Sequence, residues 1–330
     1  MGELESETHV PALRRPRANL WRDLAPRLSL VGFFAALVVG FSIASPHEFP
    51  TAATVQAILS QQAVPGLVAL AAAVVLIVGE FDISIGGTLG VTAVFSAWAF
   101  QQHWSLAEIL LAAVAIGVAV AIVNSVLVVG LGVNSFIATL AISTVLGGVS
   151  LLVTGGETLY QGIPASFTSL ANNVAGVSLL AVYCVGVGLL LWYLTDQTPF
   201  GRRLRATGSG RDAARLIGVR THRYVIAAFV LAGVVAALAG ILDTASADSA
   251  TPTVGPGFVL PAYAAAFLGA TTSRPARFNV WGTLLAVLVL SVGISGLTMI
   301  GAPFWVPDVF NGLALAGALV FSRLASREGQ

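Results

Sequence analysis

The sequence predicts an all-α, polytopic membrane protein, and two features of its composition lead to that fold class. Hydrophobic residues make up 57% of the 330 positions and charged residues only 9%, whereas soluble proteins carry about 25% charged residues. The apolar residues fall into long runs, and about 20 such residues cross a bilayer as a helix. These runs predict about ten transmembrane helices, at residues 28–45, 54–79, 86–101, 106–130, 134–154, 174–195, 222–243, 257–270, 279–299 and 304–322.

The arginines give a third observation, because they test the orientation of these helices. All sixteen basic residues are arginines, and they lie at 14–27, 202–223, 274–277 and 323–327. Arginine-containing segments tend to stay on the cytoplasmic side of a membrane. With the N-terminus inside, every such segment falls on that side, so both termini are predicted to be cytoplasmic. The predicted external loops, which contain no arginine, are 46–53, 102–105, 155–173, 244–256 and 300–303.

This topology divides the chain into three parts. Residues 1–27 are polar, with an acidic start and an arginine-rich end, and we expect them to form a disordered cytoplasmic tail. Residues 28–322 form the transmembrane domain, which includes a cytoplasmic loop at 196–223. Residues 323–330 form a short C-terminal tail in the cytoplasm.

Two places interrupt the apolar pattern in related ways. The first is Gly79–Gly87, and the second extends from Asp243 to Gly257. Breaks in corresponding positions of two halves point to repeats with discontinuous helices around a central pathway. With five spans in each half, the two halves would be inverted relative to each other. The short segment 257–270 either crosses the membrane or re-enters it from one side.

Several function classes are excluded by what the sequence lacks. It has no lysine, and therefore neither a P-loop lysine nor a Schiff-base lysine. The basic face on a soluble domain that binds nucleic acid is missing. We find no hydrolase motif and no His/Cys cluster with metal-ligand spacing, so no catalytic residue and no metal site is predicted. The single cysteine, Cys184, can form no disulfide within the chain.

The longest polar stretch between the two ends is residues 200–223, here called the basic segment. It carries seven of the sixteen arginines and lies between two apolar runs. Its middle, Arg211–Leu216, favours a helix bracketed by Gly210 and Gly218. Such a helix against the membrane is either a docking site for a cytoplasmic partner or simply a basic loop that sets topology.

The first break contains the candidate pathway residues Glu80, Asp82 and Ser84. A carboxylate in hydrocarbon is costly unless it faces water or a partner. Three interpretations remain open. The acids line a path for a polar solute, one of them carries a proton, or the segment is a tight cytoplasmic turn with its acids in water.

A second set of pathway candidates lies in the segment 134–154. Asn134, Ser135 and Thr139 are polar residues in this apolar run. Ser135, Thr139 and Ser143 recur every fourth residue and therefore share one helical face. This face either lines a pathway or packs closely against another helix, as small polar residues commonly do.

Four ordered motifs resemble those of a known family. Residues 79–86, GEFDISIG, look like G-G-(I/F)-D-L-S-V-G, with Glu80 in place of the second glycine. Residues 135–156 look like P-F-I-x-T-L…R-G…T-G-G. Residues 200–218 are similar to F-G-R…A-x-G…A-A-R-x-x-G. Residues 252–260 are similar to P-x-x-G-x-G-x-E-L, although the glutamate is missing.

These motifs, spread over residues 50–322, resemble those of the permease subunits of ATP-binding-cassette importers for ribose, xylose and related monosaccharides. The resemblance implies that an ATP-binding subunit docks on the basic segment and holds the ATP, so that this chain itself needs no cofactor. The residues that the motif places at this contact are Phe200, Gly201, Arg202, Ala206, Gly208, Arg211, Ala213, Ala214, Arg215 and Gly218.

The same resemblance implies the remaining partners. A second permease copy or a paralogue would complete the pathway within the lipid of a bacterial cytoplasmic (inner) membrane. An extracytoplasmic solute-binding protein would deliver a monosaccharide or a similar polar solute, and no nucleic acid is involved. The alternative hypothesis is an ion-coupled secondary transporter that uses Glu80 or Asp82.

Overall fold

The computed structural model describes residues 20–272 and 277–327, which form a bundle of helices. The helices are α1 Leu20–Ala44, α2 Ala52–Gln61, α3 Ala63–Ile77, α4 Ser84–Gln101, α5 Leu106–Ser125, α6 Ser135–Thr154, α7 Ala165–Thr168, α8 Leu179–Trp192, α9 Pro199–Ser209, α10 Arg211–Leu216, α11 Thr221–Ala247, α12 Pro256–Ala270, α13 Val280–Met299 and α14 Val306–Arg327. Single π-helical turns extend α5 over Val126–Gly130 and α8 over Tyr193–Gln197. A two-stranded antiparallel hairpin, β1 Asn173–Val174 and β2 Val177–Ser178, precedes α8.

The predicted polytopic all-α fold is confirmed, and each of the ten predicted segments corresponds to a helix or a helix pair. Among the described residues, five helices are long and apolar enough to cross a membrane, namely α5, α6, α8, α11 and α13. The pair α2 and α3, bent by 44°, makes a sixth. Shorter apolar helical stretches at Leu30–Ala44, Pro256–Ala270 and Val306–Val320 belong to α1, α12 and α14.

Several boundaries differ from the predicted ones. The segment predicted at 174–195 begins with the β-hairpin, and its helix α8 starts at Leu179. Helix α1 begins at Leu20, so the last residues of the predicted disordered tail are helical. Helix α11 continues to Ala247, so the second break starts at Asp248 and not at Asp243. Most of the predicted N-terminal tail and the end of the C-terminal tail lie outside the described residues, as do residues 273–276.

Helix α3 occupies the centre of the bundle. Apart from Pro65, all its residues are buried, and it packs against α8, α11, α12 and α13. The sequence AVPGLVALAAAVVLI is apolar all round, as expected for a helix that is covered on every side. Small residues elsewhere let neighbouring backbones touch: a Cβ atom added at Gly117 of α5 would overlap the carbonyl oxygen of Gly233 of α11.

Candidate functional site

The first break is shorter than predicted, because residues 84–87 already belong to α4. From here on the name refers to residues 78–83, which join α3 to α4 and whose acidic side chains are shielded from solvent. Glu80 is 7% exposed and Asp82 is 2% exposed. The hypothesis of a tight turn with its acids in water is therefore wrong.

Side chains from two other helices hold the backbone of the first break. A backbone N–H group that is shielded from water needs a protein acceptor, and the three N–H groups here are partly or fully buried. Three hydroxyl groups serve as acceptors: those of Ser135 and Thr139 in α6 and that of Tyr263 in α12. The hydrogen bonds are Phe81 N to Ser135 Oγ at 3.1 Å, Asp82 N to Tyr263 Oη at 2.8 Å, and Ile83 N to Thr139 Oγ1 at 2.9 Å.

The carboxylate of Asp82 is engaged in a small buried network at the start of α4. Its Oδ1 atom accepts from the backbone N and the Oγ of Ser84, at 2.9 and 2.6 Å. Asn124 of α5 donates to Ser84 Oγ at 2.7 Å. This arrangement satisfies the first turn of α4 in the manner of a helix cap, and it fixes α4 against α5.

The candidates on α6 also make structural contacts. Asn134 caps the helix, since its Oδ1 accepts from the backbone N of Phe136 and Ile137, at 3.0 and 3.3 Å. Ser135 and Thr139 point their hydroxyl groups at the first break, as described above. The first two members of the predicted face therefore contact that break, whereas Ser143, one turn further along α6, lines the groove described next.

A large groove opens beside the first break, with a volume of about 950 Å³. The break itself contributes Phe81 and Ile83 to its wall. The other described lining residues come from three helices and are Phe136, Leu140, Ser143, Thr144, Gly147, Gly148, Leu151, Pro256, Val259, Leu260, Tyr263, Phe267, Leu315 and Leu319. None of the six predicted pathway residues is among these described lining residues, although each of them except Asn134 lies in the first break or bonds to it.

Aromatic rings form one end of this groove. The Phe81 ring stacks on Tyr263 with 5.6 Å between ring centroids, and the Phe136 ring meets Phe81 edge-on at 6.3 Å. The side chain of Phe81 is thus held between α6 and α12. Sequence reasoning missed these rings because aromatic residues in an apolar run carry no distinctive pattern.

The two breaks meet where α4 and α12 begin. A Cβ atom added at Gly255 would overlap the carbonyl oxygen of Gly86. Only glycine at these positions permits so close an approach of the two backbones. Both predicted interruptions of the apolar pattern therefore flank a single helix crossing next to the groove.

The basic segment forms α9 and α10, and it touches the first break directly. Thr198 caps α9 by accepting from Gly201 N at 3.3 Å, and Pro199 occupies the first turn. A Cβ atom at Gly208 would overlap the carbonyl oxygen of Ile77, at the end of α3. Arg211, the first residue of α10, forms an ion pair with Glu80.

The far end of α10 exposes an apolar tip, defined here as Leu216 and Ile217. These side chains are 89% and 77% exposed, and Gly218 follows with a φ of +82°. The sequence motifs named residues on both sides of this pair and omitted the pair itself. In a chain so rich in apolar residues, their exposure is visible only in the structure.

The other predicted contact residues of the basic segment differ in exposure. Ala214 is the buried residue of α10, and Ala206 and Phe200 are half-buried. Arg202, Ala213 and Arg215 are exposed. The segment thus has one face on the bundle and one face open.

Comparisons with known proteins identify the family. The family described as branched-chain amino acid transport system, permease component, matches residues 54–319. The autoinducer 2 import system permease protein LsrC of Salmonella typhimurium is 32% identical, over 91% of this chain and 85% of its own length. The autoinducer 2 import system permease protein LsrD of Yersinia pseudotuberculosis is 33% identical, over 76% of this chain and 77% of its own length.

A solved structure shares the fold. It is an inward-facing conformation of a protein described as a metal-chelate type ABC transporter, with a TM-score of 0.51 and 15% sequence identity. The match covers 90% of this chain and 98% of that one. The family predicted from the motifs is confirmed: the chain belongs to this permease family and is a multi-pass, inner-membrane subunit of an ATP-binding-cassette importer.

Proposed function

We propose that this chain forms half of a pathway that imports a small, sugar-like polar solute, driven through the basic segment by a separate ATP-binding subunit. The observation that carries the proposal is the contact between the basic segment and the first break. Gly208 packs on Ile77 and Arg211 pairs with Glu80, so an open surface is joined to the wall of the groove. A shift of the segment would displace the break, and closely packed elements transmit such shifts.

The apolar tip and its neighbouring arginines are suited to docking a protein. Protein interfaces combine an apolar centre with a polar rim, and the exposed Arg211 and Arg215 of α10 precede Leu216 and Ile217 along the chain. Because the chain has no lysine for a P-loop, the docked subunit would bind and hydrolyse the ATP. Both termini and this tip would lie in the cytoplasm, following the distribution of the arginines.

A second permease subunit would close the groove. Helix α6 forms one wall, and its outward side chains Ile137 and Leu152 are 63% and 82% exposed, so the groove lies beside an open apolar face. Two different permease proteins of Yersinia pseudotuberculosis, LsrC and LsrD, both match this chain. A pathway built from two copies, or from this chain and a paralogue, agrees with both observations.

The groove favours a solute with both an apolar face and hydroxyl groups. Its walls are mostly apolar, with the Phe81 and Tyr263 rings at one end and the hydroxyl groups of Ser143 and Thr144 on α6. Ligand sites commonly combine apolar walls with few polar groups, in volumes of about 300–1,000 Å³. The matched relatives import autoinducer 2 by their names, and a monosaccharide is a second candidate. An external binding protein would deliver either one.

The alternative of ion-coupled transport finds less support. It needs Glu80 or Asp82 as an ion site, yet Glu80 is paired with Arg211 and Asp82 bonds to Ser84. Family membership also favours the importer.

The proposal is tested by changing the apolar tip and purifying the tagged chain from its own host in mild detergent. We expect the double substitution Leu216→Ser and Ile217→Ser to reduce the co-purified ATP-binding subunit at least about tenfold, because buried apolar anchors dominate interface energies. The matched control is Val174→Ser with Val177→Ser, two exposed apolar residues of the β-hairpin on the opposite predicted face. A chain that purifies alone and still moves solute along an ion gradient in vesicles would contradict the proposal.

A further inference from the structure

We propose that the ion pair between Glu80 and Arg211 is a link that lets the basic segment set the position of the Phe81 ring in the groove. This inference rests on the proposed function, because it assigns the transmission of the docking signal to one pair of charges. It gives Glu80 a role different from that of a solute or proton site.

The first argument is the cost of burying the carboxylate. The side chain of Glu80 is only 10% exposed, and Arg211 is the cation that pairs with it. A buried carboxylate without a partner is strongly unfavourable. The position of residue 80 is therefore tied to the position of α10, although the two residues are 131 positions apart in the sequence.

The second argument is the asymmetry of the pair. The side chain of Arg211 is 42% exposed, so one end of the pair is open at the proposed docking surface while the other end lies inside the protein. A protein bound over α10 would cover the guanidinium, which has further N–H donors to offer it. Such contacts would either strengthen the hold on Glu80 or compete with it. Either change would alter the interaction of Arg211 with the buried Glu80 carboxylate.

The third argument is the position of Glu80 next to Phe81. The backbone N of Phe81 donates a hydrogen bond to Ser135 Oγ, and the Phe81 ring lies between Tyr263 and Phe136. The Phe81 ring lines the groove, whereas Glu80 is not among the described lining residues. Glu80 is thus placed to move a ring that borders the groove without itself facing a solute.

The pair differs in kind from the nearby contact of Gly208 with Ile77. That contact joins two backbones by packing, and it fixes the end of α3 in any state that keeps the helices together. An ion pair between a half-exposed arginine and a buried carboxylate can be strengthened, weakened or exchanged. The reversible part of the signal therefore belongs to Arg211 and Glu80.

The experiment uses the fact that the chain has a single cysteine, the buried Cys184. In a Cys184→Ala background, Phe81→Cys places one thiol at the groove, and its labelling rate with a methanethiosulfonate reagent is measured on the purified chain. We expect Arg211→Gln and Glu80→Gln each to change this rate by about fivefold, the lower range of coupling between sites. The exchanged pair Glu80→Arg with Arg211→Glu should return the rate towards the parent value.

Arg220→Gln is the matched control, because Arg220 is an exposed arginine of the same basic segment that pairs with no carboxylate among the described residues. Its labelling rate at position 81 should equal that of the parent. If Arg211→Gln behaves like Arg220→Gln, the link is overturned. The two glutamine variants suffice for this decision, even if the exchanged pair fails to fold.

A second readout separates the link from a merely structural contact. In vesicles with the co-purified ATP-binding subunit, the number of ATP molecules hydrolysed per solute imported should rise about fivefold in Arg211→Gln while the subunit remains bound. A labelling response with an unchanged ratio would overturn the link. Failure of any ATP-binding subunit to bind the parent chain would instead contradict the proposed function, and the labelling rates would still decide whether Arg211 positions residue 81.

Discussion

The two breaks in the apolar pattern look alike in sequence and are built differently. In the first break the backbone N–H groups of residues 81–83 are taken up by side chains of α6 and α12, and both acids are buried. In the second break, residues 248–255, a backbone bridge joins Ala250 to Leu159. Asp248, Thr251 and Thr253 are exposed there.

This difference shows what each break depends on. A buried junction needs a specific acceptor for each N–H group, so single side chains decide whether it holds. A surface loop can bond to water, and its side chains are replaceable. The first break is thus the one that joins the basic segment to the groove, while the second delivers the start of α12 to the crossing with α4.

A substitution at the crossing of α4 and α12, where Gly86 meets Gly255, should have the largest effect on stability. We expect Gly255→Ala to lower the free energy of unfolding by about 1–3 kcal/mol, the usual cost of overpacking. The cause is purely steric, because Gly255 has a φ of −56° that alanine adopts freely. The measurement is a thermal unfolding scan in detergent.

Gly257→Ala is the control for that prediction. It lies two residues further along in α12, and nothing lies within 4 Å of an added Cβ atom. The change should be neutral or stabilising by about 0.5–1 kcal/mol, since alanine favours a helix over glycine. Equal transition temperatures for the two variants would show that the backbones are not in contact.

Removing a hydroxyl group that accepts from the backbone of the first break should have the next largest effect on stability. Thr139→Val keeps the shape of the side chain and leaves the partly buried Ile83 N without its acceptor, which costs about 1 kcal/mol, the lower end of the range for an unpaired buried group. In Thr144→Val, on the same helix, the lost hydroxyl bonds only to Leu140 of its own helix and is exposed. If both variants unfold at the same temperature, the first break does not depend on this acceptor.

Much of this fold could be predicted because the hydropathy of each segment and the positions of the arginines follow directly from the sequence. All ten apolar segments correspond to helices, and the spacing of Ser135 and Thr139 correctly placed them on one face. What lies opposite that face could not be predicted, because it depends on which helices meet. The same limit applies to the ion pair of Glu80 with Arg211.

The site was harder to predict for a second reason. In soluble proteins a polar residue in an apolar run is a strong signal, and here it drew attention to Asp82 and Ser84. The structure uses those residues to hold the break and lines the groove with Phe81 and Tyr263. In so apolar a chain, the sequence does not distinguish these rings and the exposed tip from the many other apolar residues.

The smallest effect is expected in the second break, and it sharpens the comparison most. Thr251 and Thr158 have their hydroxyl oxygens 3.3 Å apart at an exposed position, while the backbone bridge of Ala250 with Leu159 needs neither side chain. Thr251→Ala should therefore change the free energy of unfolding by less than about 0.5 kcal/mol, as exposed substitutions usually do. The same thermal scan compares it with Thr139→Val. A loss as large as that of Thr139→Val would mean that the second break also depends on single side chains, and the distinction between the two would fail.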